Sequence, residues 1–107
     1  MARASTSSDP FNAIAEPRRR QILEFIASEE RSVTEIADAL ELEQPSVSKH
    51  LQVLRNVDLV TVRRDGRQIL YRTNAETLRT IHDWAGMFAQ HWRGQLRRIK
   101  AHAEGKR

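Results

Sequence analysis

The side chains best placed to do chemistry in this 107-residue chain lie between Gln44 and Arg55, and their chemistry is hydrogen bonding rather than bond making. In Gln44-Pro45-Ser46-Val47-Ser48-Lys49-His50-Leu51-Gln52-Val53-Leu54-Arg55, the apolar Val47, Leu51 and Leu54 recur at helical spacing and predict an inward face. At about 100° per residue, Pro45, Lys49, Gln52 and Asn56 point the opposite way, with Ser46 and Ser48 on the flanks. No carboxylate occurs from Gln44 to Val57. Amides and hydroxyls match the donors and acceptors of base edges, and a lysine matches a phosphate or a guanine. A plain amphipathic helix with a solvated polar face would carry the same residues, so the flanking segments decide between the two.

A second chemical group is a cluster of arginines. Val60-Thr61-Val62-Arg63-Arg64 and Arg67-Gln68-Ile69-Leu70-Tyr71-Arg72 flank Asp65-Gly66, and a two-residue Asp-Gly loop between β-rich runs predicts a hairpin. In that register Val62 faces Ile69, Val60 faces Tyr71 and Arg64 faces Arg67. Like charges opposite one another are unfavourable in an isolated hairpin. A wing laid along a phosphate backbone gains from them, so Arg63, Arg64 and Arg67 are candidate wing contacts.

The elements that must position these groups follow from caps and periodicity. Asp9-Pro10 opens a short helix with Phe11, Ile14 and Ala15 on its apolar side. Pro17 opens a second helix to about Ala27, with Ile22, Leu23 and Ile26 inward. Arg18-Arg19-Arg20 stands in its first turn, where the helix dipole disfavours cations. Exposed arginines without a role are the preferred reading there, a carboxylate or phosphate partner the other. Ser32-Val33-Thr34-Glu35 is a capping box, opening a helix to about Leu40 with Val33, Ile36, Ala37 and Leu40 inward. Glu41-Leu42-Glu43 leaves room only for a tight turn, with Leu42 plugging the angle. Helix, three-residue turn and polar-faced helix make a helix-turn-helix.

Asn74 caps a last helix running to about His102, with no proline and only Gly86 and Gly94 interrupting it, roughly 40 Å long at about 1.5 Å per residue. So small a domain cannot bury it along its length. Leu78, Ile81, Ala85, Phe88, Trp92, Leu96, Ile99 and Ala103 recur three and four apart along it. That is a seam, assigned with Phe11 to a dimer interface rather than a cofactor box. Gly86 and Gly94 would let a partner helix approach, and Trp84 would pack on the core or on the first helix. The fold class is therefore mainly α with a small β-hairpin, in the order ααααββα. Residues 9–103 form one domain, 1–8 a disordered lead and 104–107 a basic tail.

Charge distribution narrows the partner. Residues 28–43 carry six acidic groups and one basic, whereas 44–72 carry six basic and two acidic, and 73–107 seven basic and three acidic. A field concentrated on the candidate helix, the hairpin and the tail suits a polyanion. The absence of cysteine excludes disulfides, thiol switches and thiolate metal sites. No apolar run approaches the roughly 18 residues of a membrane span and no signal core opens the chain, so a cytoplasmic location is expected. No Gly-rich phosphate loop and no Ser-His-acid set stands out, so no enzyme and no cofactor are expected.

The motifs together resemble the ArsR-type (ArsR/SmtB) winged helix-turn-helix repressors. The resemblance is carried by Phe11-Asn12-Ala13-Ile14-Ala15-Glu16-Pro17-Arg18-Arg19-Arg20-Gln21-Ile22-Leu23, by Ser32-Val33-Thr34-Glu35-Ile36-Ala37, by Gln44 through Leu51, and by Arg64-Asp65-Gly66-Arg67. It covers residues 11–72 and implies a homodimer whose recognition helices enter successive major grooves of an imperfect palindrome, repressing by competition with RNA polymerase. It also implies base contacts at Gln44, Ser46, Ser48 and Lys49 and wing contacts at Arg63, Arg64 and Arg67. Gln52 is added from helix geometry, and His50 is read as a packing or phosphate-facing residue.

The chain departs from the family's metal sensors. It lacks their cysteine pair, and at the start of the last helix it offers Ala75, Glu76 and Leu78 in place of metal ligands. His91 and His102 are eleven apart, but no third ligand accompanies them, and zinc wants three or four. His82, His91 and His102 are therefore read as surface or seam histidines. The chain resembles the short, cysteine-free members that repress their own operon without a known metal. Two alternatives stay open: a histidine-ligated metal-responsive repressor, and a winged-helix protein-interaction module whose basic wing meets an acidic protein. The operator, the regulated genes and any effector ligand are not legible.

Overall fold

In a computed structural model, described over residues 9–105, eight elements follow in the order α1 (Pro10–Ala13), α2 (Pro17–Phe25), α3 (Val33–Leu40), α4 (Gln44–Asn56), β1 (Val60–Asp65), β2 (Gln68–Thr73), α5 (Ala75–Gly86) and α6 (Ala89–Gly105). The mainly helical winged helix-turn-helix is as the sequence predicts, except that the last helix is two helices. The expected lead, residues 1–8, lies outside the described residues, as do residues 106–107.

Side chains set where most helices begin. Asp9, Glu16, Ser32 and Asn74 each accept a backbone N–H of the helix they precede, and Ser32 and Glu35 close the full capping box. α1 is only four residues long and is held at its C-terminal end by the next helix. Arg19 Nε donates to the Ala13 carbonyl at 2.8 Å, and Arg20 donates to the Ile14 carbonyl at 2.7 Å. This corrects the preferred reading of those two arginines as idle. Their cations offset the unpaired carbonyls and negative end of α1.

The core gathers Ala13 from α1, Ile22, Leu23 and Ile26 from α2 and its end, Ile36 and Ala37 from α3, Val47, Leu51 and Leu54 from α4, and Val57, Leu59 and Val60 beyond it. Two non-glycine residues take left-handed backbone to make the turns around α4. Glu41 (φ 57, ψ 46) ends α3, and the Leu42 N–H reaches back to the Ala37 carbonyl at 2.9 Å. Asp58 (φ 63) ends the chain's run out of α4, with Leu59 N–H on the Leu54 carbonyl at 2.9 Å. Both are glycine-type helix terminators built without glycine.

The hairpin differs from the sequence expectation in register. The pairs are Val60↔Thr73, Val62↔Tyr71, Arg64↔Ile69 and Asp65↔Gln68, so the two-residue loop is Gly66-Arg67. Asp65 stays in the strand, and Gly66 alone in the loop takes positive φ (64). The shift is two residues, which keeps every side chain on its expected face but changes its partner. Arg64 therefore faces Ile69, and the predicted Arg64–Arg67 opposition does not occur. A single residue extends the sheet on the far side of β2: Arg31 and Tyr71 exchange both backbone hydrogen bonds, at 2.9 and 2.8 Å. Thr73 closes the sheet on α2, its hydroxyl donating to the Leu23 carbonyl at 2.7 Å and its N–H to the Ile26 carbonyl at 3.1 Å.

The predicted single terminal helix is interrupted at Met87-Phe88. Met87 N–H bonds to the Trp84 carbonyl, Phe88 N–H to Ala85 and His91 N–H to Phe88, all three residues back and so tighter than α. Gly86, which costs a helix interior about 1 kcal/mol relative to alanine, is the last residue before the joint. An edge-to-face ladder ties the joint to α1, with Phe11 on Trp84 at 5.5 Å and Trp84 on Phe88 at 5.3 Å between ring centroids.

Candidate nucleic-acid interface

α4 is the element that the rest of the domain presents. Its inner residues are sealed, Val47 and Leu54 fully and Leu51 to 1% exposure, which fixes its rotation about its own axis. Rotation fixed, Gln44, Ser48, Lys49 and Gln52 stand exposed and Ser46 half-buried, as their spacing predicts. The Gln52 amide N–H₂ donates to Asn56 Oδ1 at 3.1 Å along the same helix face, and its carbonyl oxygen accepts from no group among the described residues.

The beginning of α4 carries a feature that the sequence reading passed over. Of α1 to α5, α4 alone starts without a side-chain cap, its N-cap residue being Glu43. Its first-turn N–H groups and dipole are thus left to an outside acceptor, and a phosphate is the natural one. The available signal was Glu43 standing where serine, threonine, aspartate or asparagine is preferred.

His50 lies half-buried on the flank of α4 that meets the start of α2. Burial pushes its imidazole pKa down, the Arg19 and Arg18 cations push the same way, and the Glu16 carboxylate opposes them. Glu16 is itself held below the usual carboxylate range, chiefly by the Arg18 N–H that it accepts at 2.9 Å. His50 is therefore neutral at neutral pH and serves as packing.

The wing separates the three arginines predicted to act together. Arg63 is engaged by Glu30 from the α2–α3 connection: its Nε donates to Glu30 Oε1 and Oε2 at 3.0 and 3.2 Å, and its terminal nitrogen pairs with the same carboxylate. That pairing lowers the Glu30 pKa and links the middle of β1 to the α2–α3 connection. Arg64 and Arg67 are exposed, and neither enters an ion pair among the described residues.

The seam residues are open to different degrees. Leu78 packs partly on the core, Ile81 and Ala85 are half-buried, and Phe11 is occupied by Trp84. Beyond the joint, Phe88 is 41%, Trp92 53%, Leu96 64% and Ile99 63% exposed. Gly94 lies about 200° around α6 from Trp92 and so cannot serve the seam. Among the described residues no three His, Asp or Glu side chains converge as metal ligands, and no helix is long and apolar enough to cross a membrane.

A buried three-helix core that presents one uncapped polar helix beside a basic two-stranded wing defines a winged helix-turn-helix DNA-binding domain. Residues 16–62 match the family described as bacterial regulatory protein, arsR family. The chain is 31% identical over 74 residues to the transcriptional repressor SdpR of Bacillus subtilis, covering 69% of this chain and 82% of that protein. It is 41% identical over 81 residues to the HTH-type transcriptional regulator KmtR of Mycobacterium tuberculosis, covering 76% of this chain and 62% of KmtR. The homodimeric winged helix-turn-helix DNA-binding domain Mb0332 of Mycobacterium bovis, solved by NMR, superposes with a TM-score of 0.64 at 29% identity, covering 85% and 93% of the two chains. The chain belongs to the arsR family and is a DNA-binding transcriptional regulator.

Proposed function

We propose that the protein acts in the cytoplasm as a homodimeric repressor, most simply of its own operon, with α4 in the major groove and the wing on the flanking backbone. The observation that carries this is the division of α4: an apolar face sealed in the core, and an exposed face of amides, hydroxyls and one lysine behind an uncapped N-terminus. Gln44, Ser46 and Ser48 read base edges, Lys49 meets a phosphate or guanine, and Gln52 contributes its carbonyl oxygen. Arg64 and Arg67 contact the backbone. Arg63 shares its charge with Glu30 and so contributes less than the other two. Dimerisation is supported by the exposed aromatic and aliphatic seam and by the homodimeric state named for Mb0332. The names SdpR and KmtR support repression and regulation respectively, and the metal-responsive alternative has no ligand cluster in its favour among the described residues.

The test is fluorescence anisotropy with labelled DNA from upstream of the protein's own gene, against a scrambled duplex, at stepped salt. Operator binding tighter than the control by about a thousandfold, with a steep salt slope, is expected. Equal, salt-labile binding to both duplexes would overturn autorepression, and no binding to either would favour an acidic protein as the partner of the wing. Lys49→Ala and Arg64→Ala should each lower the salt slope by about 0.9, one phosphate contact, while Arg63→Ala changes it less.

A further inference from the structure

We propose that Arg18 is a further DNA-backbone contact, meeting the phosphate strand on the edge of the major groove away from the wing. This rests on the DNA reading above and adds a cation from outside both the helix-turn-helix and the wing. The three consecutive arginines that open α2 divide their work. Arg19 and Arg20 are turned onto the Ala13 and Ile14 carbonyls at the end of α1. Arg18 is exposed, and its guanidinium enters no hydrogen bond or ion pair among the described residues. Only its backbone N–H is engaged, by the Glu16 carboxylate at 2.9 Å. The end of α2 is thus already capped, and what it offers an outside anion is a side chain. Folding alone gives no reason for a cation there, since the helix dipole opposes it.

Position selects the occupant. Ser46, His50 and Val53 lie on one flank of α4, Ser48 and Arg55 on the other. The start of α2 meets the first of these flanks, where Arg18, Arg19 and Glu16 are near enough to His50 to act on its charge. The wing is tied instead to the far end of α2. Thr73 bonds to the Leu23 and Ile26 carbonyls, and Arg63 pairs with Glu30 in the connection beyond. Arg18 and the wing are therefore separated by the length of a nine-residue helix, about 13 Å. The major groove that α4 would enter is about 12 Å wide, with a phosphate strand along each edge. With the wing on one strand, Arg18 is placed for the other. Arginine suits the role, because its planar fork can hold a phosphate through two N–H groups at once.

The test is salt-stepped anisotropy of the full chain carrying Arg18→Gln, Arg18→Lys or Arg20→Gln, with the labelled upstream duplex and its scrambled control. Arg20 is the comparison because it stands about 200° around α2 from Arg18 and lines a cleft with Leu78 of α5. Its replacement removes the same charge, and glutamine can still donate to the Ile14 carbonyl. Arg18→Gln should lower the salt slope by about 0.9 per protomer and weaken binding to both duplexes alike, since a phosphate carries no sequence. Arg18→Lys should keep the slope, and so should Arg20→Gln. An unchanged slope in Arg18→Gln, or an equal fall in Arg20→Gln, would overturn the proposal. So would a fall in Arg18→Lys as large as in Arg18→Gln, because the charge is retained there. In each of these cases a lower slope in Lys49→Ala would leave the DNA reading standing. No binding of the unsubstituted protein to either duplex would overturn that reading, and this contact with it.

Discussion

α4 and α6 are both amphipathic helices, yet they stand in opposite relations to their own chain. α4 spends its apolar face internally, with Val47, Leu51 and Leu54 at 0–1% exposure, and leaves its polar face without a partner. α6 leaves its apolar face open, with Trp92, Leu96 and Ile99 at 53–64%. The face a helix leaves unsatisfied indicates the chemistry of what it awaits. For α4 that is a polar, anionic surface, and for α6 it is an apolar one.

Truncating one residue on each apolar face should break the symmetry most sharply. Leu51→Ala should cost about 2–5 kcal/mol in chemical denaturation, because a closed core cannot fill the space. Leu96→Ala should leave the stability of the isolated chain nearly unchanged and instead raise the dimer dissociation constant measured by sedimentation. Equal destabilisation by both at concentrations where the chain is monomeric would erase the distinction. The scaffold behind the polar face is sharpened by Ser32→Ala, which removes one half of the capping box and should cost about 1 kcal/mol without altering operator preference.

A smaller effect concerns His50, whose folded-state pKa lies below its ordinary value of 6.5. As pH falls the unfolded chain takes up the proton first, so the stability His50 contributes is complete above about 6.5 and declines as pH drops below it. His50→Gln should flatten the stability profile below about pH 6.5. An unchanged slope would mean that His50 is more solvated than its packing against α2 implies. The smallest effect is a gain: Glu41→Gly should stabilise the domain by about 0.5 kcal/mol, relief of the left-handed backbone outweighing the entropy of glycine.

What the sequence made legible was whatever local chemistry decides. The Ser32–Glu35 box, the proline starts and the inward triplet of α4 all fall where they were read. The hairpin register was misread because Asp65-Gly66 looks like a complete loop, whereas only Gly66 needs positive φ and Asp65 keeps its strand geometry. The terminal helix was read as one because its seam spacing runs on across Gly86, whereas the helix breaks at that glycine. Two contacts depend on residues far apart and left no local trace, Arg63 on Glu30 and Arg31 against Tyr71, while the two guanidiniums on the end of α1 act across only six residues but depend on how α1 and α2 are angled. In the candidate site, the exposure of the α4 face was readable from periodicity. The division of labour among Arg63, Arg64 and Arg67 was not, because it is set by a carboxylate thirty-three residues away from Arg63.

Thr73 has a consequence for how the molecule is made. Its hydroxyl and N–H satisfy the Leu23 and Ile26 carbonyls across some fifty residues of chain. Until the ribosome has released that residue, the end of α2 has no sheet to close on. α3 and α4 can meet through a three-residue turn early, since so short a loop closes at little entropic cost. α4 therefore has its immediate neighbour long before the wing locks the domain, and the final closure waits on the strand synthesised just ahead of the terminal helices.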